Sequence, residues 1–203
     1  MLTLALPKGR LYDQVREHFA ARDIHFEFED RKLVARDQKG LMEIFLVKNA
    51  DLPTYVNSGI AGIGICGEDV LYESPFTFYE LLTLPFGSTR MCIAGKKSDE
   101  SWKQEAVLKI ATKFPKFTKH YFHKRNIPVE LVKLGGSVEL APVLGLSPLI
   151  VDLVETGNTL KAHDLEVFEE LTRISVKLIV NPAYYKLNFN KISQFVDIIA
   201  NEP

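Results

Sequence analysis

Strand-length apolar runs alternating with segments of helical period predict an α/β fold, because each strand face and each helix stripe needs the other to cover it. Strand–helix units follow one another through the first part of the chain, and a second series of the same kind begins near Arg90. The last run of that second series ends in acids, hydroxyls and a glycine, where an open α/β sheet places its ligands.

Leu2 to Leu6 is a short β-prone run, and Leu11, Val15 and Phe19 follow at helical spacing, so a strand feeds a helix. Met42 to Val47 repeats the pattern. There Asn49 is a candidate N-cap, Pro53 falls early in the helix, and Leu52, Tyr55 and Val56 share a face. Ala61 to Cys66 reads as the third strand and Gly67 to Tyr72 as its helix. Between the first two units, Phe26, Phe28, Leu33 and Val34 flank the polar stretch Glu29 to Lys32, the pattern of a hairpin added to the sheet, which makes a mixed sheet.

In the second series Met91 to Ala94 reads as a strand and Gly95 to Asp99 as a polar connection. Val107 to Thr112 (strand), Pro115 to Lys124 (helix), Val129 to Leu134 (strand), Ser137 to Leu144 (short helix) and Leu149 to Val154 (strand) follow. Ile174 to Val180 is a further strand, and Ile192, Phe195, Val196 and Ile199 form the stripe of a terminal helix. Two series imply two small α/β domains, drawn at 1–90 and 91–178, with 179–203 a C-terminal segment and helix. No internal repeat, low-complexity tract or Ser/Gly linker interrupts them.

The 203 residues are 46% hydrophobic, enough for a sizeable core. With 25 Lys+Arg against 26 Asp+Glu there is no global basic field to hold a nucleic-acid backbone, so any anion site must be local. Cys66 and Cys92 sit in apolar stretches without disulfide-framework spacing, which fits buried thiols in a reducing compartment. The N-terminal apolar run lacks the flanks of a signal peptide, and no run approaches the ~18 residues of a membrane span. The expectation is a cytoplasmic protein that engages neither membrane nor nucleic acid.

The segment from Pro148 to Leu160 is the most informative. Gly157 lets the backbone turn tightly and come close to a ligand, and the amides from Gly157 to Leu160 would open the next helix towards an anion. The hydroxyls of Thr156 and Thr159 add donors, while Asp152 and Glu155 can accept from sugar hydroxyls or hold a hydrated Mg²⁺. Phosphate and ribose are served side by side. The plainer alternative is that Thr156 N-caps a helix, Gly157 and Asn158 turn the chain and the acids are solvated.

The loop lies within Glu139-x5-Gly145-x-Ser147-x2-Ile150-x-Asp152-Leu153-x2-Thr156-Gly157-x-Thr159-Leu160, which resembles the signature of the ATP phosphoribosyltransferases that open histidine biosynthesis. Ala5 to Arg10, Asp51 to Val56, Gly64 to Val70 and Ile110 to Phe114 also look like segments of that family, so the resemblance spans nearly the whole chain. The salvage phosphoribosyltransferases carry two adjacent acids before a similar loop. Here Val151 precedes Asp152 and the acids lie three apart, which favours the histidine-pathway family.

The resemblance implies two domains like those of type II periplasmic binding proteins, mixed sheets, a cleft between domains, and a C-terminal helix returning to the first. It implies transfer of phosphoribosyl from 5-phosphoribosyl 1-pyrophosphate to N1 of ATP, with Mg²⁺ whose ligands stay open. Phosphoribosyl contacts fall on Asp152, Glu155, Thr156, Gly157, Asn158, Thr159 and Leu160. The polyphosphates require cations at one place, and the candidates are Lys8 and Arg10 after the first strand, Arg31 and Lys32 in the hairpin, and Lys48 after the next strand, with Gly9 and Gly67 as further nucleotide or pyrophosphate contacts. By resemblance Arg10 and Arg31 contact the pyrophosphate and nucleotide phosphates; with Asp152 they form the catalytic set.

Gly62, Gly64 and Gly67 match Gly-x-Gly-x-x-Gly, but no acid closes a strand about 20 residues on, so they read as close packing and backbone approach near ATP, with Asp69 as helix-start charge. His120 and His123 stand one turn apart without partners for a zinc site and read as solvent-facing. Family members of this length work with a regulatory subunit resembling a histidyl-tRNA synthetase, which implies a homodimer within a hetero-oligomer. A non-catalytic solute-binding module shares the implied architecture and stays open as the alternative, as does another phosphoribosyltransferase.

Overall fold

Each parallel strand of the first series is apolar along most of its length because it is covered on both faces. In the computed structural model, which describes residues 1–99 and 101–201, β1 (Leu2–Pro7) pairs parallel with β3 (Met42–Val47) and β4 (Ile63–Gly67). Leu4, Ala5 and Leu6 of β1 are fully buried. Between β1 and β3 lie α1 (Arg10–Ala20), which buries Val15 and Phe19, and β2 (Val34–Arg36), antiparallel to β3. The expected hairpin at Phe26 to Val34 is shifted: β2 turns into β3 through residues 37–41, and Phe26 makes only an isolated bridge to Asp37. The cause is Asp37, a buried carboxylate that accepts the backbone N–H groups of Lys39 and Met42 and so makes the turn.

A single 3-10 turn at Asn49–Asp51 precedes α2 (Leu52–Asn57), so Asn49 does not cap that helix; Asp51 stands at its N-cap, without a side-chain bond. After β4 comes α3 (Glu68–Glu73), then β5 (Tyr79–Lys96). In the second series β6 (Leu108–Thr112), α4 (Pro115–His123), β7 (Val129–Lys133), α5 (Leu140–Val143), β8 (Leu149–Val154) and α6 (Asn158–Ala162) follow, with β6, α4, β7 and α5 shorter than expected by one to four residues. β9 (Leu165–Val180) and α7 (Pro182–Ala200) complete the order.

Two compact units result: residues 1–88 with 175–203, of which Glu202 and Pro203 lie outside the described residues, and residues 89–174. The chain passes between them inside β5 and inside β9. In the first unit the strand order is β2-β3-β1-β4-β9, with β9 antiparallel to β4; in the second it is β5-β8-β6-β7, with β5 antiparallel to β8. Each unit mixes parallel and antiparallel pairs.

α7 belongs to the first unit because its stripe, Ile192, Phe195 and Ile199, packs against Phe19, Leu4 and Ile63. Each such aliphatic or aromatic side chain contributes about 1.5–3 kcal/mol when fully buried. Asn181 sets the helix in place: its Oδ1 accepts from the amides of Ala183 (2.9 Å) and Tyr184 (3.0 Å), while its Nδ2 donates to the carbonyls of Val56 and Asn57. Gly62 is then obligatory, since a Cβ there would overlap the Tyr184 ring, and a Cβ at Gly64 would press on Leu52 and Val56 at 2.8 Å. Those glycines serve packing. Among the described residues no helix is long and apolar enough to cross a membrane.

Candidate active site

β8 runs between β5 and β6 with Leu149, Ile150 and Val151 buried, and it delivers Asp152 near its carboxyl end. The clamp that fixes this end is Thr112, the buried last residue of β6. Its hydroxyl donates to the Val151 carbonyl (2.7 Å) and accepts the Phe114 amide (2.9 Å), so the ends of β6 and β8 and the start of α4 are tied together. Lys113 follows, and its Nζ lies 3.3 Å from Asp152 Oδ1. The Leu153 amide donates to the same oxygen at 2.8 Å. The Asp152 side chain is 16% exposed. Burial pushes its carboxyl above the usual aspartate value, Lys113 and the Leu153 amide pull it back, and Glu139 adds to the rise.

Beyond β8 the loop spans two buried anchors, Val154 and Leu160, both in the core of the second unit. Glu155, Thr156, Asn158 and Thr159 are exposed between them. Gly157 is the N-cap of α6 in a left-handed conformation (φ 77°, ψ 4°), without a side-chain cap. Among the described residues the Thr156 hydroxyl accepts the Asn158 amide, at a long 3.4 Å. Plain N-capping by Thr156 therefore does not describe this turn. Leu160 enters the core through its side chain, so any ligand contact it makes is through its backbone, in the turn where amides lack intrahelical acceptors.

In the first unit the parallel register Pro7↔Val47 sets Lys8 and Lys48 just past adjacent strand ends, and the Lys8 amide donates to the Val47 carbonyl (2.9 Å). Both lysines line a pocket of about 320 Å³ with Asp51, Tyr55 and Val47. Gly9 (φ 98°, ψ −159°) opens α1, and Arg10, its first residue, is exposed on that turn. Arg31 is outside this pocket's lining. It sits in the loop before β2 with φ 60°, its side chain 93% exposed and 3.8 Å from Asp30, and Lys32 pairs with Glu29. Gly67 is buried at the end of β4 with extended angles, so its conformation does not require glycine. A pocket of about 380 Å³ lined by Met1, Leu2 and Met42 lies at the amino ends of β1 and β3, the end of a parallel sheet where ligands do not collect.

Asp69, expected as a helix-start charge, is in the first turn of α3 but buried rather than solvated. His120 and His123 are exposed on α4. Both cysteines are buried free thiols whose pKa burial pushes up. Among the described residues no group of three or more His, Cys, Asp or Glu could cage a metal. The residue that sequence reasoning passed over is Lys113. It stands within the Ile110 to Phe114 segment, where a lysine between a strand end and a Pro-initiated helix is the one available signal.

The sequence profile of the ATP phosphoribosyltransferase family (HisG) matches residues 48–201. An ATP phosphoribosyltransferase of Caldicellulosiruptor saccharolyticus is 48% identical over 193 residues, covering 92% of each chain, and one of Clostridioides difficile is 40% identical over 197 residues, covering 96% of this chain and 95% of its own. The chain belongs to the ATP phosphoribosyltransferase family. Membership makes it an enzyme, a phosphoribosyl transferase. A solved member, from the ATP phosphoribosyl transferase (HisG:HisZ) complex of Thermotoga maritima, superposes with a TM-score of 0.82 at 37% identity, covering 98% of this chain and 97% of that one. The fold is thus that of the ATP phosphoribosyltransferases, of the type II periplasmic-binding-protein kind, and the family's chemistry is consistent with a metal-dependent reaction.

Proposed function

We propose that this chain transfers the 5-phosphoribosyl group of 5-phosphoribosyl 1-pyrophosphate to N1 of ATP, releasing pyrophosphate, as the first step of histidine biosynthesis. The observation that carries the assignment of parts is the β8–α6 turn, where a carboxylate, two threonine hydroxyls and an uncapped left-handed glycine stand within nine residues. The lone pair of adenine N1 forms the bond to the anomeric carbon as the bond to pyrophosphate oxygen breaks and its electron pair departs with pyrophosphate. No protein nucleophile is needed, so the protein's work is positioning and charge stabilisation.

In this reading Gly157, Asn158, Thr159 and Leu160 offer backbone amides to the 5-phosphate, Thr156 and Thr159 add hydroxyls, and Asp152 and Glu155 accept from ribose hydroxyls. Lys8, Gly9, Arg10 and Lys48 in the first unit receive the polyphosphates, with Gly67 as a backbone approach. Arg31, on its exposed loop before β2, is assigned to the same phosphates. The metal we assign is Mg²⁺. The residues suit an ion that arrives on the donor's pyrophosphate, since Mg²⁺ is held by one or two carboxylates plus substrate phosphates rather than by an all-protein cage. When bound it supplies charge neutralisation to the leaving group.

The relative from Thermotoga maritima was solved in a HisG:HisZ complex, which supports a HisZ-like regulatory subunit; the reading further takes this chain to be a homodimer within that hetero-oligomer, in the cytoplasm. The test is to incubate the chain, with and without such a subunit, with ATP, 5-phosphoribosyl 1-pyrophosphate and Mg²⁺. Pyrophosphate and phosphoribosyl-ATP should appear together. Pyrophosphate release only with a free nucleobase or orotate in place of ATP would reassign the acceptor, and binding without release would favour a solute-binding module.

A further inference from the structure

We propose that Lys113 is the positioning residue of the donor site: it holds the Asp152 carboxylate in the orientation that receives the ribose hydroxyls. The inference rests on the reading of the β8–α6 turn given above and names a residue that reading does not use.

Three observations carry it. The first is geometry, because the Lys113 ammonium lies 3.3 Å from Asp152 Oδ1, and the Leu153 amide donates to that same oxygen at 2.8 Å. Both protein contacts fall on Oδ1, so Oδ2 is the atom left to accept from a sugar hydroxyl. The second is rigidity. Lys113 follows the buried Thr112, whose hydroxyl ties the β8 carbonyl of Val151 to the Phe114 amide, and Pro115 then opens α4 with a fixed φ. The lysine is therefore delivered to Asp152 by two strand ends in register rather than by a mobile loop.

The third is electrostatic. Asp152 is largely out of water, with Glu139 as the nearby like charge and Lys113 as the nearby opposite one. A carboxylate in that position needs a cation to remain a hydrogen-bond acceptor without turning away. Lys113 is 37% exposed, and its ammonium, the group that reaches the acid, lies 5.9 Å from the centre of the Phe114 ring. Loss of the lysine leaves the acid buried and unpaired, the more costly half of such a pair.

The experiment is steady-state kinetics on the full chain, with its regulatory subunit, varying 5-phosphoribosyl 1-pyrophosphate at saturating ATP and then ATP at saturating 5-phosphoribosyl 1-pyrophosphate. Wild type is compared with Lys113→Met, Lys113→Arg, Asp152→Asn and the double variant. Lys113→Met should raise the donor KM about ten-fold, the range of one charge-assisted hydrogen bond, with the ATP KM unchanged. Lys113→Arg should recover most of that loss. In the Asp152→Asn background Lys113→Met should add less than about two-fold, because its partner is already neutral. A full additional penalty in that background overturns the proposal, since Lys113 would then act on the substrate independently of Asp152. An impaired Asp152→Asn with a wild-type-like Lys113→Met overturns it alone. A wild-type-like Asp152→Asn sinks the donor-loop reading and this inference with it.

Discussion

The β1–α1 turn and the β8–α6 turn share a backbone device but carry side chains of opposite charge. Each leaves a buried parallel strand, passes through a glycine at positive φ that serves as N-cap, and opens a helix with no side-chain cap: Gly9 (φ 98°) before α1 and Gly157 (φ 77°) before α6. Around Gly9 the chain places Lys8 and Arg10; around Gly157 it places Glu155, Thr156, Asn158 and Thr159, with Asp152 upstream. Uncapped first-turn amides suit an anion in both. The side chains separate the two roles, since cations match a polyphosphate while acids and hydroxyls match a phosphate joined to a sugar. Charge at the turn, rather than the glycine N-cap the two share, separates the proposed ligands.

The comparison is tested hardest at the glycines. Gly157→Val should weaken donor binding about 100-fold, the loss of two charge-assisted backbone contacts, with much smaller effect on ATP, as calorimetry with each ligand would show. A Cβ at Gly157 meets the protein only at an ordinary 3.8 Å from Val154, so the loss would come from backbone strain and ligand approach. The two glycines also differ in kind. At φ 77°, ψ 4° asparagine is tolerated, whereas φ 98°, ψ −159° is a region nearly restricted to glycine. Gly157→Asn should therefore stay close to wild-type stability, and Gly9→Asn should lose about 1–3 kcal/mol in denaturant unfolding. Equal losses would break the distinction.

A smaller effect is expected at Arg10. Its removal in Arg10→Ala should cost about 1.5–3 kcal/mol of affinity for ATP or pyrophosphate, read by calorimetry, and leave 5-phosphoribose binding in place. Stability should change by less than about 0.5 kcal/mol, since the side chain is exposed. If 5-phosphoribose and nucleotide affinity fall together, the two turns do not divide the ligands as proposed.

The sequence made β8 legible to the residue, because Leu149 to Val154 is apolar at every position but Asp152 and is bounded by Pro148 and Glu155. The two longest strands were half hidden. β5 begins at Tyr79 rather than Met91, and Pro85 and Gly87 break its pattern; Gly87 is needed because a Cβ there would meet Val176 and Leu11 at about 3 Å. β9 begins at Leu165 rather than Ile174, and the charges of Glu166, Glu169, Glu170 and Arg173 mask a strand whose faces are largely exposed there. The loop from Asp152 to Leu160 could be read from residue types alone. Lys113 could not, because its partner lies 39 positions away and the pairing exists only through the β6–β8 register. The Lys8–Lys48 pairing depends on the β1–β3 register in the same way, although strand-end position had singled out both lysines.

The smallest effect concerns what the acidic turn costs the fold. Burial raises the Asp152 carboxyl above its unfolded value, with Lys113 and the Leu153 amide offsetting only part of the rise and Glu139 adding to it. Between the unfolded and the raised folded pKa the native state holds more protons than the unfolded one, so the slope of unfolding free energy against pH is negative there. Stability contributed by this group is greatest below the ordinary aspartate value, falls as pH climbs through the window, and stays reduced at neutrality. Asp152→Asn removes the buried charge. Its amide oxygen can still accept from Leu153, and Lys113, more than one-third exposed, can turn to water. Thermal unfolding at pH 7 should accordingly show Asp152→Asn with a higher Tm than wild type while turnover drops, and the Tm difference should shrink as pH is lowered through the window. Such a trade of stability for function is expected where a ligand, rather than the fold, satisfies the acid. A lower Tm for Asp152→Asn at neutral pH would mean that the Lys113–Asp152 pair stabilises the resting fold, and the β8 turn would then be held by its own charges instead of waiting for those of the donor.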